Sequence, residues 1–461
     1  MRSTTTLFAS VVSAPTIFVI LLAGLVACPA SGQDEDGRPA ETEPSAEAYR
    51  ADIQELAETI RTTHPRPFQV QSEQAFDALL AGELASVDAG WTRRDLLWSM
   101  SRIIASIGCG HSQTAAYFTQ QDALIAPADR FPVDVRLVAG RLLVIDPLTN
   151  GARLSVGEEI VSINGRPVTE IMEGVFRHIA ADSNLRAPKQ DRFNVYATSY
   201  LTYELGFPGT YSVRTTRSDG VVPLTLTESF AHRPIISPDD PCPDTLCFRI
   251  DPATGVPVMR IRSFGFYGND GAAFAEFVDD SFAAIVASGA EAILIDVRNN
   301  HGGSGLAAAY LLRRLATKPF RYWANETDPR AIDDLFEIQH PVDTGYDGEV
   351  FVLINADTFS SVPHFAALAR HNGMATLFGE PAGGGVSTND GKRLHTSSSF
   401  GVEYLIARMR FDVDASTAGI DGPVQPDVLI ERTTRDVLFG EDSQLFAAIQ
   451  LAHGATATEP G

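Results

Sequence analysis

The strongest constraint on the fold of this chain is a strand–turn–helix pattern that occurs twice in its C-terminal half. Val350–Ile354 is an apolar run, rich in β-branched residues, with the length of a buried strand. Asn355–Asp357 follow with turn chemistry, and Val362–Arg370 then shows helical spacing. Ala292–Val297, a glycine-rich turn and Leu306–Ala316 repeat the pattern. This alternation predicts an α/β domain with a largely parallel sheet and helices packed against it.

The turns of this pattern carry candidate catalytic groups. Ser360 and Ser361 stand where one strand passes into its helix, and the other turn reads RNNHGGSG. Backbone N–H groups at a helix N-terminus are unpaired and can stabilise an oxyanion. Because ligands of such folds lie at the carboxyl ends of strands, we expect both turns to face one cleft. The structural alternative is that Ser360 only caps its helix, since serine is a favoured capping residue.

Composition and charge narrow the class of protein. The chain has 461 residues, enough for two to four domains, with 44% hydrophobic and 20% charged residues. Its formal net charge of −22 argues against nucleic acid or anionic lipid as the main partner. Neither a phosphate-binding GxxxxGK[ST] motif nor a zinc-binding HExxH motif is present, so we expect no cofactor and no metal.

The N-terminus has the features of an export signal. The apolar run Ile17–Ala27 is shorter than the roughly twenty residues that span a bilayer, and it suits the core of a signal peptide over residues 1–28. LVAC at its end resembles a lipobox, which would make Cys28 the lipidated first residue, whereas Ala30–Gly32 offers an ordinary cleavage site. Residues 29–45 are an acidic linker. We expect a periplasmic or outer-membrane bacterial lipoprotein, or a secreted protein, with membrane contact only through the lipid.

Export makes the remaining cysteines informative. Cys242 and Cys247 lie in a loop rich in proline and aspartate and are candidates for a disulfide. Cys109 would then be unpaired, and a buried apolar role is the expected one. Its position two residues before His111 leaves a cysteine nucleophile as an alternative.

The chain divides into three predicted parts. Helical patterns end at the segment GCGHS, which contains His111, and predict an N-terminal helical domain over 46–127. Short alternating strands with Gly-containing turns predict a β-rich domain over 128–230. The α/β domain would occupy 231–452, followed by a tail at 453–461.

Several motifs occur together in one order. LIDVRNNHGG, LINADTFSS, TLFGEPAGG and GPVQPDV follow GHSQT and VGEEIVSINGRPV along the chain. In this combination the chain resembles the C-terminal processing (tail-specific) serine protease family over nearly everything from Ala46 to Ala452. The resemblance implies a PDZ-like module in the β-rich part and a crotonase/ClpP-like catalytic domain. It also implies an exported serine endopeptidase that hydrolyses peptide bonds of proteins or peptides through an acyl-enzyme.

The resemblance assigns roles to both turns. Ser360 falls on the family's nucleophile, and Ser361 would supply one oxyanion N–H while Gly302 or Gly303 supplies the other. Ser361 remains the alternative nucleophile. Gly385 stands where the better-known members carry a catalytic lysine, so a Ser–Lys dyad is not expected.

The missing lysine makes the chain more similar to the tricorn-core-like branch, which takes its base from a histidine in the helical domain. That residue is His111 here, and Asp421 would be the late acid, acting on the ring directly or through Ser112. An unperturbed histidine pKa near 6.5 suits a general base. His301 and Lys392 remain alternative bases.

Two other functions stay open. The same fold can carry a catalytically inactive ligand- or peptide-binding protein, and the site chemistry would also serve a hydrolase of small esters or amides. No GLGF-like carboxylate loop precedes Val133, so carboxylate capture by the PDZ-like module is poorly supported. The sequence leaves the oligomeric state open. Asp296 with Arg298, and His364, are expected to be structural.

Overall fold

The computed structural model describes residues 45–115, 118–226, 242–415 and 422–456. The predicted signal peptide, lipidation at Cys28 and the acid Asp421 all lie outside the described residues. Those that are described belong to one compact unit that begins at Ser45. No helix among them is long and apolar enough to cross a membrane.

The helices of the described residues, numbered α1 to α12, are Ala46–Thr63, Glu73–Ser86, Arg93–Ser106, Thr119–Ala123, Val168–Phe176, Arg186–Val195, Ala197–Glu204, Asp270–Ser288, Gly305–Leu315, Ser361–His371, Thr434–Phe439 and Ser443–Thr456. The strands, numbered β1 to β19, are Gln113–Thr114, Asp134–Val138, Arg141–Asp146, Glu159–Ile163, Arg166–Pro167, Ser212–Thr215, Val222–Pro223, Leu246–Ile250, Pro257–Ile261, Ala292–Asp296, Phe320–Arg321, Ile338–Gln339, Glu349–Ile354, Thr376–Gly379, Ser387–Asp390, Arg393–Thr396, Glu403–Ile406, Met409–Asp412 and Val428–Leu429.

A six-stranded sheet forms the centre of the α/β part, in the order β19-β14-β13-β10-β9-β8. All neighbours pair in parallel except β8, which runs antiparallel to β9 at one edge. Strands β10 and β13 are buried along nearly their whole length, as expected of strands covered on both faces. The predicted α/β domain with a largely parallel sheet is confirmed.

Helices cover both faces of this sheet. Side chains of α8, α9 and α10 pack on one face, where Phe274, Leu312 and Phe365 are fully buried. Helix α12 packs on the other face through Leu445 and Ile449. Strands β10 and β13 each lead into a helix on the same face, so their two turns lie side by side at one end of the sheet.

The N-terminal parts follow their predicted patterns closely. Helix α1 begins at Ala46, where the predicted helical domain starts, and the Ser45 side chain caps it. The β-rich part is an antiparallel sheet in the order β2-β3-β4-β6-β7. Helices α6 and α7 lie within the predicted β-rich part, at residues that show no strand-like alternation, and they bury Phe193, Tyr200 and Leu201 in its core. The domain boundaries and the PDZ-like character of this part remain predictions.

A buried ion-pair network closes the sheet end beneath the glycine-rich turn. Arg260 Nε and Arg298 Nη2 lie 3.0 and 2.9 Å from Asp296 Oδ2, and Arg298 Nη1 lies 2.7 Å from Asp442 Oδ1. The predicted structural pair of Asp296 and Arg298 is therefore confirmed. Burial alone would raise the pKa of Asp296, but the two guanidinium groups lower it to about 2.

Asp296 should contribute to acid sensitivity. Since its folded-state pKa lies below the ordinary 3.8, its stabilisation is complete above pH 3.8 and is lost as pH falls through about 2. The unfolding free energy of the parent chain and of D296N should be measured by chemical denaturation at pH 5 and at pH 2. The fall between these two pH values should be about 2 kcal/mol smaller in D296N than in the parent. The variant D219N, at an exposed turn, is the matched control and should lose as much unfolding free energy as the parent over this range. An equal acid-dependent loss in D296N and the parent would contradict this account.

Candidate active site

Ser360 lies at the junction of β13 and α10 in an unusual backbone conformation. Its φ of 62° and ψ of −120° are sparsely populated for a residue with a side chain, and such strain costs about 1–3 kcal/mol. The Ser360 side chain makes no capping hydrogen bond to the helix. The interpretation of Ser360 as a helix cap is wrong, because an N-cap residue is extended and accepts from the first turn.

Hydrogen bonds join the serine turn to the glycine-rich turn. Asn355 Oδ1 accepts the Asn299 N–H at 3.0 Å, and Asn355 Nδ2 donates to Asn299 Oδ1 at 2.8 Å. Further along the two turns, the Phe359 N–H donates to the Asn300 carbonyl at 3.0 Å. These bonds hold Ser360 directly against the glycines.

His111 reaches Ser360 from a distant part of the sequence. It follows α3, and the next residues form β1, which pairs antiparallel with β17 of the α/β part. His111 Nε2 lies 3.0 Å from Ser360 Oγ, and its ring stacks on Phe359 with centroids 4.5 Å apart. Gly110 permits this stack, because a Cβ there would lie 2.7 Å from the Phe359 ring. The geometry is that of a nucleophile and its general base.

Of the three backbone N–H groups predicted to bind an oxyanion, one already donates a hydrogen bond within the protein and two do not. The Gly302 N–H donates to Asn300 Oδ1 at 2.8 Å, so the expectation that Gly302 supplies an oxyanion donor is corrected. Within the described part of the chain, the N–H groups of Gly303 and Ser361 donate to no protein acceptor. These two N–H groups can therefore bind an oxygen beside Ser360.

An acidic residue absent from the sequence prediction also contacts the histidine. Asp390 Oδ2 lies 3.3 Å from His111 Nε2, and Lys392 Nζ lies 3.3 Å from Asp390 Oδ1. Burial alone would raise the pKa of Asp390, but His111 and Lys392 lower it below its usual value. Lys392 is thus the partner of Asp390, and among the described residues it makes no hydrogen bond to Ser360.

The other ring nitrogen of His111 has a neighbour that sequence reasoning also missed. Thr388 Oγ1 lies 3.4 Å from Nδ1, and it lies 2.9 Å from Asp182 Oδ2. Thr388 and Asp390 both face the ring because alternate residues of a strand point to one side. From the sequence alone, strand alternation in β15 could show that Thr388 and Asp390 share one side. It could not show that this side faces His111.

Several other predicted residues lie apart from this contact. Ser112 donates to Cys109 Sγ and accepts the Ala407 N–H at 3.1 Å, so its predicted support of His111 is corrected to a structural role. His301 Nε2 lies 2.8 Å from Asp357 Oδ2, and this hydrogen bond raises the pKa of His301. Ser361 Oγ is buried without a hydrogen-bond partner among the described residues.

The cysteines and His364 have structural environments. Cys242 and Cys247 are joined by a disulfide. Cys109 is a buried free thiol, and burial raises its pKa to about 12, which disfavours a thiolate nucleophile. His364 is buried beside Trp323, and burial lowers its pKa to about 4. Gly385 has no room for a lysine, since a Cβ there would lie 2.3 Å from the Gly422 carbonyl oxygen.

A cleft of about 410 Å³ opens beside Ser360. The two available N–H donors border it together with Trp323, Met409 and Phe411, while Lys392 and Arg408 lie among its polar lining residues. A concave site with apolar walls and few converging polar groups is typical of substrate-binding sites.

Known proteins resemble this chain in the type of its C-terminal domain and in its fold. Residues 255–430 match the model of peptidase family S41. A structure of mature CPAF complexed with lactacystin has a TM-score of 0.59 at 14% identity, covering 89% of this chain and 99% of that one. A second structure of mature CPAF has a TM-score of 0.59 at 15% identity, covering 89% and 98%. A crystal structure from Parabacteroides merdae has a TM-score of 0.50 at 14% identity, covering 90% and 99%. No curated protein sequence matches the chain.

At these identities the structural likeness shows the fold, and the family match adds the class: a serine-type peptidase. Residues 255–430 thus carry a domain that is similar to peptidase family S41.

Gly302 provides a sensitive test of the contact between the turns. Its φ is +94°, and a Cβ would lie 2.5 Å from Ser360 Cβ, so G302A should displace Ser360 and reduce peptide hydrolysis to background. The matched variant G82A, in an open helical position, should keep full activity and gain about 0.5–1 kcal/mol of stability. Peptide hydrolysis and thermal unfolding measure both effects. Parental activity in a folded G302A protein would contradict the described packing.

Proposed function

We propose that this protein is an exported serine endopeptidase that hydrolyses proteins or peptides, with Ser360 as nucleophile and His111 as base. The observation that carries the proposal is the 3.0 Å distance between His111 Nε2 and Ser360 Oγ, in residues far apart along the chain. The match of residues 255–430 to peptidase family S41 supports protein or peptide substrates. The strained Ser360 backbone and the two available N–H donors add support.

In the proposed reaction His111 Nε2 takes the Ser360 proton as Oγ attacks the scissile carbonyl carbon. The carbonyl oxygen becomes an oxyanion that accepts from the N–H groups of Gly303 and Ser361. His111 then donates its proton to the leaving amine, and an acyl-enzyme remains on Ser360. A water molecule, deprotonated by His111, attacks the ester and restores the serine.

Asp390 acts during the charged stages of this cycle. Its carboxylate lies 3.3 Å from the nitrogen that receives the proton, so it stabilises the imidazolium once this forms. The apolar walls of the adjacent cleft favour an apolar substrate side chain beside the scissile bond. Arg408 in its lining suits an acidic or carboxylate-bearing flank of the substrate.

Export is the remaining part of the proposal. It rests on the apolar run Ile17–Ala27 and on the lipobox-like residues that end at Cys28. The disulfide between Cys242 and Cys247 suits an oxidising compartment.

Replacement of the nucleophile is the direct activity test. S360A should lose casein and peptide hydrolysis while keeping its fold by circular dichroism. S361A should lose no more than about tenfold, because the backbone N–H that binds the oxyanion is retained. The exposed variant S398A should behave as the parent.

Two outcomes would overturn the proposal. Full hydrolysis by S360A would exclude Ser360 as nucleophile, and loss in S361A alone would assign that role to Ser361. Absence of hydrolysis in the parent chain across substrates and pH would favour the alternative, a catalytically inactive binding protein on this fold.

A further inference from the structure

The imidazole of His111 has a polar neighbour at each ring nitrogen. Nε2 faces Ser360 Oγ at 3.0 Å, and Nδ1 faces Thr388 Oγ1 at 3.4 Å. Resting on the proposed function, we propose that Asp182, acting through the Thr388 hydroxyl, holds His111 in the tautomer that accepts the Ser360 proton. Asp182 and Thr388 are positioning residues in this account.

The donors and acceptors of Asp182, Thr388 and His111 determine which ring nitrogen carries the proton. A hydroxyl has one proton to donate, and an ionised carboxylate can only accept. The Thr388 proton therefore goes to Asp182 Oδ2, 2.9 Å away. Towards His111 the Thr388 oxygen can then only accept, so Nδ1 must carry the ring proton. Nε2 is left with its lone pair directed at Ser360, as a general base requires. The 3.4 Å separation fits a catalytic hydrogen bond that tightens when substrate binds.

Asp182 is built into the site as an acceptor. Its Oδ1 accepts the Gly110 N–H at 2.7 Å, so one carboxylate holds both the backbone before His111 and the hydroxyl beside the ring. The side chain is almost fully buried. Burial raises the pKa of Asp182, whereas His111, the Gly110 N–H and the Thr388 hydroxyl oppose this rise by stabilising the charge.

The local fold delivers Asp182 from the β-rich part of the chain. It begins a short turn in which Ser183 and Asn184 both have left-handed backbone angles, with φ of 51° and 56°. The Ser183 N–H donates to the Gly108 carbonyl at 2.9 Å. This turn is therefore fixed to the same glycine-containing segment that carries His111.

The other described groups near the ring do not supply this function. Asp390 lies 3.3 Å from Nε2, the nitrogen that faces Ser360. Its carboxylate favours a proton on Nε2, so the Nδ1 proton requires that Thr388 and Asp182 outweigh Asp390 in the resting enzyme. Ser112 is turned towards Cys109 and Ala407. The predicted acid, Asp421, lies outside the described residues, and it therefore enters as a competing outcome of the test.

Variants of Thr388 separate the hydroxyl from the packing. T388V keeps the side-chain volume and removes the hydroxyl, so kcat for peptide hydrolysis should fall about 10²-fold with little change in KM. T388S restores a hydroxyl and should recover most of the loss. T396V makes the same substitution at an exposed strand position and should leave kcat unchanged. Equal activity of T388V and the parent would overturn the inference.

The tautomer of His111 can be measured directly, and it should not change if Thr388 and Asp182 have only a structural role. In the ¹⁵N spectrum of histidine-labelled full-length protein, neutral His111 should show a protonated Nδ1 and an unprotonated Nε2. T388V should show a mixture of tautomers. D182N should favour a proton on Nε2, because its amide donates to Thr388 and reverses the hydroxyl. A protonated Nδ1 retained in both variants, or lost only in D421N, would overturn the inference.

These measurements distinguish failure of the inference from failure of the proposed function. A tautomer that depends on Thr388 in a chain without hydrolytic activity would uphold the positioning role and reject the peptidase. Hydrolysis that requires Ser360 and His111, with a tautomer indifferent to Thr388 and Asp182, would uphold the peptidase and reject the positioning role.

Discussion

The site depends on hydrogen bonds between two turns at the end of a parallel sheet. Strands β10 and β13 are neighbours, and Asn355 in the turn after β13 accepts from and donates to Asn299 in the turn after β10. With the bond from Phe359 to Asn300, this arrangement holds Ser360 in a strained conformation that the serine alone would not adopt. If one turn moved without the other, these hydrogen bonds would break and leave buried polar groups unsatisfied. The two turns are therefore expected to move together or not at all.

A second constraint is that the proposed base, His111, comes from outside the sheet. The segment after His111 pairs as β1 with β17, and the ring packs on Phe359. Gly110 is needed for the ring contact, and Gly385 leaves no space for a side chain on the other side of the site. The chain thus has room for a histidine base and none at Gly385 for a lysine. This accounts physically for the departure from the lysine pattern.

Much of the fold followed from periodicity. The parallel sheet, α1 and the hairpins were predictable because their apolar spacing agrees with the structure that they adopt. Helices α6 and α7 were not, since their burial depends on partners from other elements. In the site, Ser360 and His111 were predictable from motifs. Asp390, Thr388 and Asp182 were not, because only the tertiary fold brings β15 and the turn at Asp182 to the ring. The engagement of the Gly302 N–H by Asn300 was likewise invisible in sequence.

The central claim is that Ser360 is a nucleophile activated by His111, and a covalent label tests it most directly. After reaction with a fluorophosphonate probe at neutral pH, intact-mass and peptide-mapping spectrometry should find a single adduct on Ser360. The reaction rate should fall sharply in H111A, whereas H301A should react as the parent does. An adduct on Ser361, or a rate at Ser360 that does not depend on His111, would contradict the account.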